Sequence, residues 1–185
     1  EGNSVLILAG SGNNGGDGWV AAELLSHMGA QVTLVTPVAS DEITAQPAHD
    51  AAVAAQASNT FGIQIAPSAE DLAAALSRAD IFVDALLGTG FSGTSLRGYT
   101  LEWVSALATE QQRRADNGAL LPVIAVDAPS GVNAQTGAAC DPSVQAAATV
   151  TMMAAKPGLI AEPGSGYAGK IVVASIYPIE ELLQS

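Results

Sequence analysis

The sequence has a single cysteine, Cys140. No disulfide framework can hold the chain together, and a reducing, cytoplasmic setting is expected. Basic residues are also scarce: six Lys and Arg stand against eighteen Asp and Glu, for a net charge of −12 at pH 7. That balance repels nucleic acid and anionic membrane, so neither is expected as a partner, and an anionic ligand must be held locally by backbone and a few cations. Aromatic residues make up only 4% of a chain that is 49% apolar. Ala, Val, Leu and Ile must therefore build most of the core. No apolar run is long enough to span a bilayer, and nothing reads as a secretory leader. Internal repeats, low-complexity tracts and linkers are missing too, so residues 1–185 are expected to form one domain with a sizeable core. The chain does not open on Met and a strand begins almost at once, so sequence upstream of Glu1 is expected.

What is present is concentrated between Val5 and Val20. Val5 to Leu8 is a continuous apolar run that suits a strand buried on both faces, and the glycine-rich stretch after it ends where a helical period begins. Strand, tight loop and helix N-terminus together favour an anion, and a phosphate-bearing nucleotide is the first expectation. Gly10, Gly12 and Gly15 formally make the dinucleotide fingerprint. The acid that should bind a ribose hydroxyl at the end of the second strand is absent, however: Gln31 to Thr36 runs into Pro37 and Val38, with Asp41 and Glu42 beyond a turn. This argues against an ordinary NAD dehydrogenase. Asn13 and Asn14 ahead of Gly15, Gly16 and Asp17 place amides and a carboxylate in a loop that could bind phosphate with backbone alone. The loop is read as coordinating something besides phosphate.

Further along, Val20, Leu24 and Met28 share one apolar helical stripe, with Ala21 and Leu25 beside it, on the first crossover helix, which Gly29 ends. A second helix is expected over residues 43–58, a short strand near Ile63, and a helix capped by Ser68. Pro47 in the second helix requires a start close to it. His27 is read as a partly exposed surface residue and His49 as structural. Ile81 to Leu87 is a buried strand carrying one carboxylate, Asp84, which must be paired or coordinating to be tolerated there. The following loop, Gly88 to Thr94, has three glycines, three hydroxyls and almost no charge, and reads as a second anion cradle. A helix over residues 100–116 is expected to end in a solvated Gln111 to Arg114 stretch. Leu121 to Val126 is another buried strand, ending in Asp127-Ala-Pro-Ser-Gly131 where an open α/β sheet binds ligands. Strands at Thr149 to Met153 and Ile171 to Ala174, with Lys156-Pro-Gly158 between, complete an alternation that predicts a parallel α/β sheet.

The motifs Gly-x-Gly-Asn-Asn-Gly-Gly-Asp-Gly, Val-Asp-Ala-Leu-Leu-Gly-Thr-Gly, Val-Asp-Ala-Pro-Ser-Gly and Lys-Pro-Gly occur here in the order and spacing of one family. From Val5 to Ile176 the chain resembles the NAD(P)H-hydrate epimerases, the YjeF N-terminal domain. The resemblance implies a Rossmann-like three-layer sandwich around a mostly parallel sheet. It also implies interconversion of the R and S epimers of NADHX and NADPHX, cofactors hydrated at C6 of the nicotinamide ring. Carried over residue by residue, Asn13, Asn14, Gly15, Gly16 and Asp17 would contact the hydrated dinucleotide. Gly88, Thr89, Gly90, Phe91, Ser92, Gly93 and Thr94 would wrap its phosphates. Asn14, Asp84 and Ser130 would supply oxygens to a potassium ion, the expected cofactor, and Asp127 would meet the reacting ring as acid/base and substrate ligand. Asp17 is the second choice for that role, because a helix start should lower its pKa and suit binding better. The role of Lys156 is left open. A homodimer is expected, as is an ATP- or ADP-dependent NAD(P)HX dehydratase, fused or separate, in which case Ser185 marks an excision point.

The chain departs from the family pattern in lacking its N-terminal helical segment, in Ala128, and in Met152-Met153-Ala154 where Phe-Gly is commoner. Two other function classes are set against this reading. A hydride-transferring enzyme is weakened by the missing acid on the second strand. A non-catalytic nucleotide- or protein-binding module of the same fold has no evident use for Asn14, Asp84, Asp127 and Ser130 together.

Overall fold

The computed structural model describes residues 2–175; Glu1, the Ile176 at which the resemblance ends, and Ser185 lie outside the described residues. Seven parallel strands form one sheet in the order β3-β2-β1-β4-β5-β6-β7. They are β1 (Ser4–Ala9), β2 (Gln31–Thr36), β3 (Gly62–Ile65), β4 (Ile81–Ala85), β5 (Val123–Val126), β6 (Ala148–Met152) and β7 (Lys170–Ala174). The longer helices are α1 (Asn13–His27), α2 (Gln46–Ala57), α3 (Ala69–Arg78) and α4 (Gly98–Asp116); the short α5 (Pro157–Ile160) and α6 (Ser165–Ala168) lie between β6 and β7. The resemblance's Rossmann-like three-layer arrangement is therefore present, with an entirely parallel sheet.

Alternation along β1 builds both layers. Val5, Ile7 and Ala9 pack with Trp19 and Ala22 of α1 and Ala48 and Ala52 of α2. Leu6 and Leu8 pack on the other face with Leu72 and Leu76 of α3 and Trp103, Val104 and Leu107 of α4. Ser68 caps α3 as expected, its hydroxyl accepting from the Asp71 N–H at 3.1 Å. Pro47 is the second residue of α2, which begins three residues later than the sequence pattern proposes, at Gln46. Among the described residues no helix is long and apolar enough to cross a membrane.

Two expectations from side-chain pattern are corrected. The stripe Val20, Leu24 and Met28 faces outward, with Met28 82% exposed, while Ala21 and Leu25 beside it are partly buried against the core. The buried face of α1 is Gly15, Gly16, Gly18, Trp19 and Ala22. The cause is close packing: a Cβ on Gly18 would stand 2.8 Å from that of Ala85, and one on Gly16 2.7 Å from the Cα of Ala48. A stripe of large side chains cannot enter that gap. The end of α4 is likewise not simply solvated. Arg114 donates to the carbonyls of Leu76, Ser77 and Ala79 at the end of α3, at 3.1, 3.2 and 2.8 Å. Arg113 and Arg114 both bond Glu110 at 2.7 Å, and despite burial they bring its carboxyl down to about 2. The cluster pins α4 to the last turn of α3.

Candidate functional site

The sheet order reverses at β1 and β4, so the chain leaves these neighbouring strands toward opposite edges and a crevice opens beyond their C-terminal ends. A cleft of about 570 Å³ lies there. Asn13, Asn14 and Asp17 of α1 line it, with Gly88 to Ser92 after β4 and Asp127 after β5. The N-terminus of α1 opens onto it with Gly12 at the cap and no side chain bonded to its first turn, so free N–H groups face the cleft.

Of the residues proposed from sequence, Gly15 and Gly16 are buried and do not line the cleft; their missing side chains let α1 approach Gly10 and Ala48. Gly93 and Thr94 lie beyond the lining. Ser11, Leu86, Leu87 and Tyr99 do line it. Sequence reasoning missed them, although Leu86 and Leu87 sit inside the Ala-Leu-Leu-Gly motif itself. Tyr99 is held by a tilted ring contact with Trp103, centroids 5.1 Å apart.

Asp84 is 1% exposed, on the central strand β4. Its Oδ2 accepts from the Ser130 N–H at 2.7 Å, and its Oδ1 from the Ser130 hydroxyl at 2.6 Å and, more weakly, the Leu86 N–H at 3.3 Å. The Ser130 hydroxyl in turn accepts from the Leu87 N–H at 3.0 Å. Burial outweighs these donors and pushes the Asp84 carboxyl up to about 6. The structure thus joins two of the proposed cation ligands directly.

Asn14 makes no hydrogen bond to that pair and lies beside Gly88. Its Oδ1 and Asp127 Oδ2 each lie 3.0 Å from where a Cβ on Gly88 would be. Its Nδ2 is buried without a hydrogen-bond partner. An amide in that condition gains by turning its oxygen toward a cation. Ser130 keeps one free lone pair, and Asp84 is a buried charge without a counter-ion among its bonded partners. Amide, carboxylate and hydroxyl oxygens are the donors a hard cation takes, so these residues fit one. Among the described residues no cluster of three or more His, Cys, Asp or Glu offers a different metal site.

Asp127 follows β5 in the left-handed region at φ 65°. Its Oδ2 accepts from the Thr89 N–H at 2.9 Å, and its Oδ1 from the Thr151 hydroxyl at 3.3 Å. Lys156 closes the arrangement: its Nζ donates to the carbonyls of Met152 and Ala154 at 2.6 and 3.2 Å and pairs with Asp127 Oδ1 at 3.3 Å. Burial alone would raise the Asp127 carboxyl, but the Thr89 N–H and the Lys156 charge together hold it below its ordinary value. Asp17 behaves oppositely to the expectation of a lowered pKa. It lies past the first turn of α1, beyond the reach of the helix end, and partial burial of its carboxyl, with the Asp127 charge as the lesser cause, pushes it up.

The sequence model described as YjeF-related protein N-terminus matches residues 1–158. The chain belongs to that family. It is 35% identical over 172 residues to a Limosilactobacillus fermentum protein named NAD(P)H-hydrate epimerase, covering 93% of this chain and 74% of that one. It is 39% identical over 176 residues to a Hyperthermus butylicus protein named bifunctional NAD(P)H-hydrate repair enzyme Nnr, covering 95% of this chain but only 30% of that enzyme's length. The crystal structure of yeast ynu0 shares the fold at a TM-score of 0.73 and 23% identity, over 94% of this chain and 66% of the yeast chain.

The bare position at Gly88 can be probed directly. Gly88→Ala would set a methyl 3.0 Å from both Asn14 Oδ1 and Asp127 Oδ2, without demanding an unusual φ. Any turnover at this cleft is expected to fall about ten- to a hundredfold with Tm nearly unchanged, since the methyl displaces site atoms and not the core. Parallel kinetics and thermal melts check this, and wild-type turnover in the Ala variant would contradict it.

Proposed function

We propose that this chain is an NAD(P)H-hydrate epimerase, interconverting the R and S forms of NADHX and NADPHX. The observation that carries the reading is Asp127, a carboxylate fixed by Thr89, Thr151 and Lys156 in the switch-point cleft of a family member. The activity for which relatives such as the Limosilactobacillus fermentum protein are named supports it.

In this reading the N-terminus of α1 and the loop Gly88 to Ser92 hold the pyrophosphate, with Asn13 and Asp17 on the hydrated dinucleotide. Asp127 meets C6. Inversion there requires the hydroxyl to leave one face and water to return on the other, through a cation stabilised by the ring nitrogen. The C6–O bond breaks with its electron pair on a protonated oxygen, and the returning water gives up a proton, so nothing is oxidised or reduced. Asp127 acts in this proton traffic. Asn14, Asp84 and Ser130 would hold a potassium ion, which supplies positive charge near the pyrophosphate and against the Asp84 carboxylate. A dehydratase driven by ATP or ADP would consume the S epimer, in line with the bifunctional naming of longer relatives.

The test is conversion of purified R-NADPHX, followed by chromatography, with potassium and with a potassium-free control. Rapid approach to the R/S equilibrium, faster with potassium, is expected. A folded protein that binds the dinucleotide yet leaves the spontaneous rate unchanged would overturn the reading in favour of a binding-only module.

A further inference from the structure

Asp17 is the one cleft carboxylate that the arrangement around Asp127 leaves unused. It has no hydrogen-bond or ion-pair partner among the described residues, whereas both Asp127 oxygens are occupied. The two reach the cleft from opposite walls. β1, which leads into α1 and Asp17, and β5, which ends at Asp127, are the two neighbours of β4 in the sheet. With strands roughly 4.8 Å apart, about 10 Å separates the strands that feed these walls. Between them runs the β4 loop, where Gly88 brings no side chain into the gap. Asp17 and Asp127 both line the cleft around that loop, so a flat ring held there has one carboxylate on the α1 side and one on the β5 side.

We propose that Asp17 is a second catalytic residue, and that Asp17 and Asp127 each handle the proton on one face of the nicotinamide ring. The proposal rests on the epimerase reading. Inversion at C6 needs proton transfer on both faces, and one carboxylate fixed in place cannot serve both. In one direction the Asp17 acid gives its proton to the C6 hydroxyl, the C6–O bond breaks with its electron pair going to oxygen, and water departs. The ring nitrogen's lone pair carries the resulting charge. Water then bonds to C6 from the opposite face and Asp127 takes its proton. Reversing the roles converts the other epimer, and between turnovers the proton returns through solvent.

The surroundings suit this division. The Thr89 N–H and the Lys156 charge hold Asp127 below its ordinary value, while Asp17, partly buried and facing the Asp127 charge, takes up a proton more readily than an ordinary carboxyl. Lys156 is a positioning residue: it spends its other protons on two backbone carbonyls, which fix the direction of the third.

The experiment supplies R-NADPHX and S-NADPHX separately in water enriched in oxygen-18, following inversion by chromatography and label by mass spectrometry. The wild type should invert and take up label together. Asp17→Asn and Asp127→Asn should each lose inversion by a hundredfold or more, yet each should still exchange the hydroxyl of one epimer without inverting it. The exchanging epimer should be opposite in the two variants, because the surviving carboxylate can release and return water on its own face. Asp17→Glu, with the same charge on a longer arm, should recover part of the inversion. Inversion by Asp17→Asn within about fivefold of wild type would overturn the proposal, as would loss of exchange from both epimers in that variant while it still binds the dinucleotide. Failure of the wild type to invert or exchange either epimer would instead remove the epimerase reading itself.

Discussion

Asp127→Asn is expected to epimerise NADPHX about a thousandfold more slowly than the wild type, in the middle of the range by which a positioned acid/base accelerates a reaction. The substitution is informative because it leaves the backbone in place. Asp127 sits at φ 65°, where Asn is tolerated far better than Ala or a β-branched residue, so the turn after β5 should keep its shape. An Asn oxygen can still accept from the Thr89 N–H. What is lost is the negative charge that Lys156 faces at 3.3 Å and the ability to take or give a proton. KM should therefore change little while kcat collapses. A thousandfold rise in KM at constant kcat would reassign Asp127 to binding, and unchanged kinetics would remove it from the reaction.

The carboxylate could be found in the sequence, but its partners could not. Apolar runs ended by glycine and acid mark β1, β4 and β5, and with them the edge where Asp127 and the two glycine loops gather. Asp84 stood out as a charge inside an apolar strand for the same reason. Its partner Ser130 lies 46 residues away and is brought to it beforehand by the family resemblance alone, and Lys156 reaches Asp127 across the β5–β6 connection and a whole strand. Pairings of that separation are fixed by strand order, which local periodicity does not encode. On α1 the error had a different source. A hydrophobic stripe read by side-chain size selects Val20, Leu24 and Met28, but a helix pressed onto a glycine-lined contact turns its smallest face inward. The Asp17 expectation failed on distance: the favourable end of the α1 dipole lies at Asn13, more than one turn away.

Below pH 4, where the carboxyl is protonated, Asp84→Ala is expected to cost about 3–5 kcal/mol of stability, because it strands three donors in a dry interior and leaves a cavity. Asp84→Asn should be far milder, and the contrast carries the information. The wild-type carboxyl is pushed from 3.8 to about 6 by burial, so the folded state binds its proton more tightly than the unfolded chain does. Its contribution to stability is therefore full below pH 3.8 and is lost as pH rises through 6, leaving a penalty of about 3 kcal/mol at neutral pH if nothing else is bound. Asn carries no such charge, and what it loses in hydrogen bonding to Ser130 is offset by removing that penalty. A potassium ion against Asp84 would relieve the wild type in the same way. Melts at pH 7.5 in tetramethylammonium buffer, with and without added potassium, separate the two roles of this carboxylate. If it is a cation ligand, potassium raises the Tm of the wild type and not of Asp84→Asn, and the wild type's loss of stability between pH 4 and 6 shrinks when potassium is present. If it is a structural acid satisfied by Ser130 alone, potassium moves neither protein, and the pH-dependent loss persists in the wild type whatever the salt.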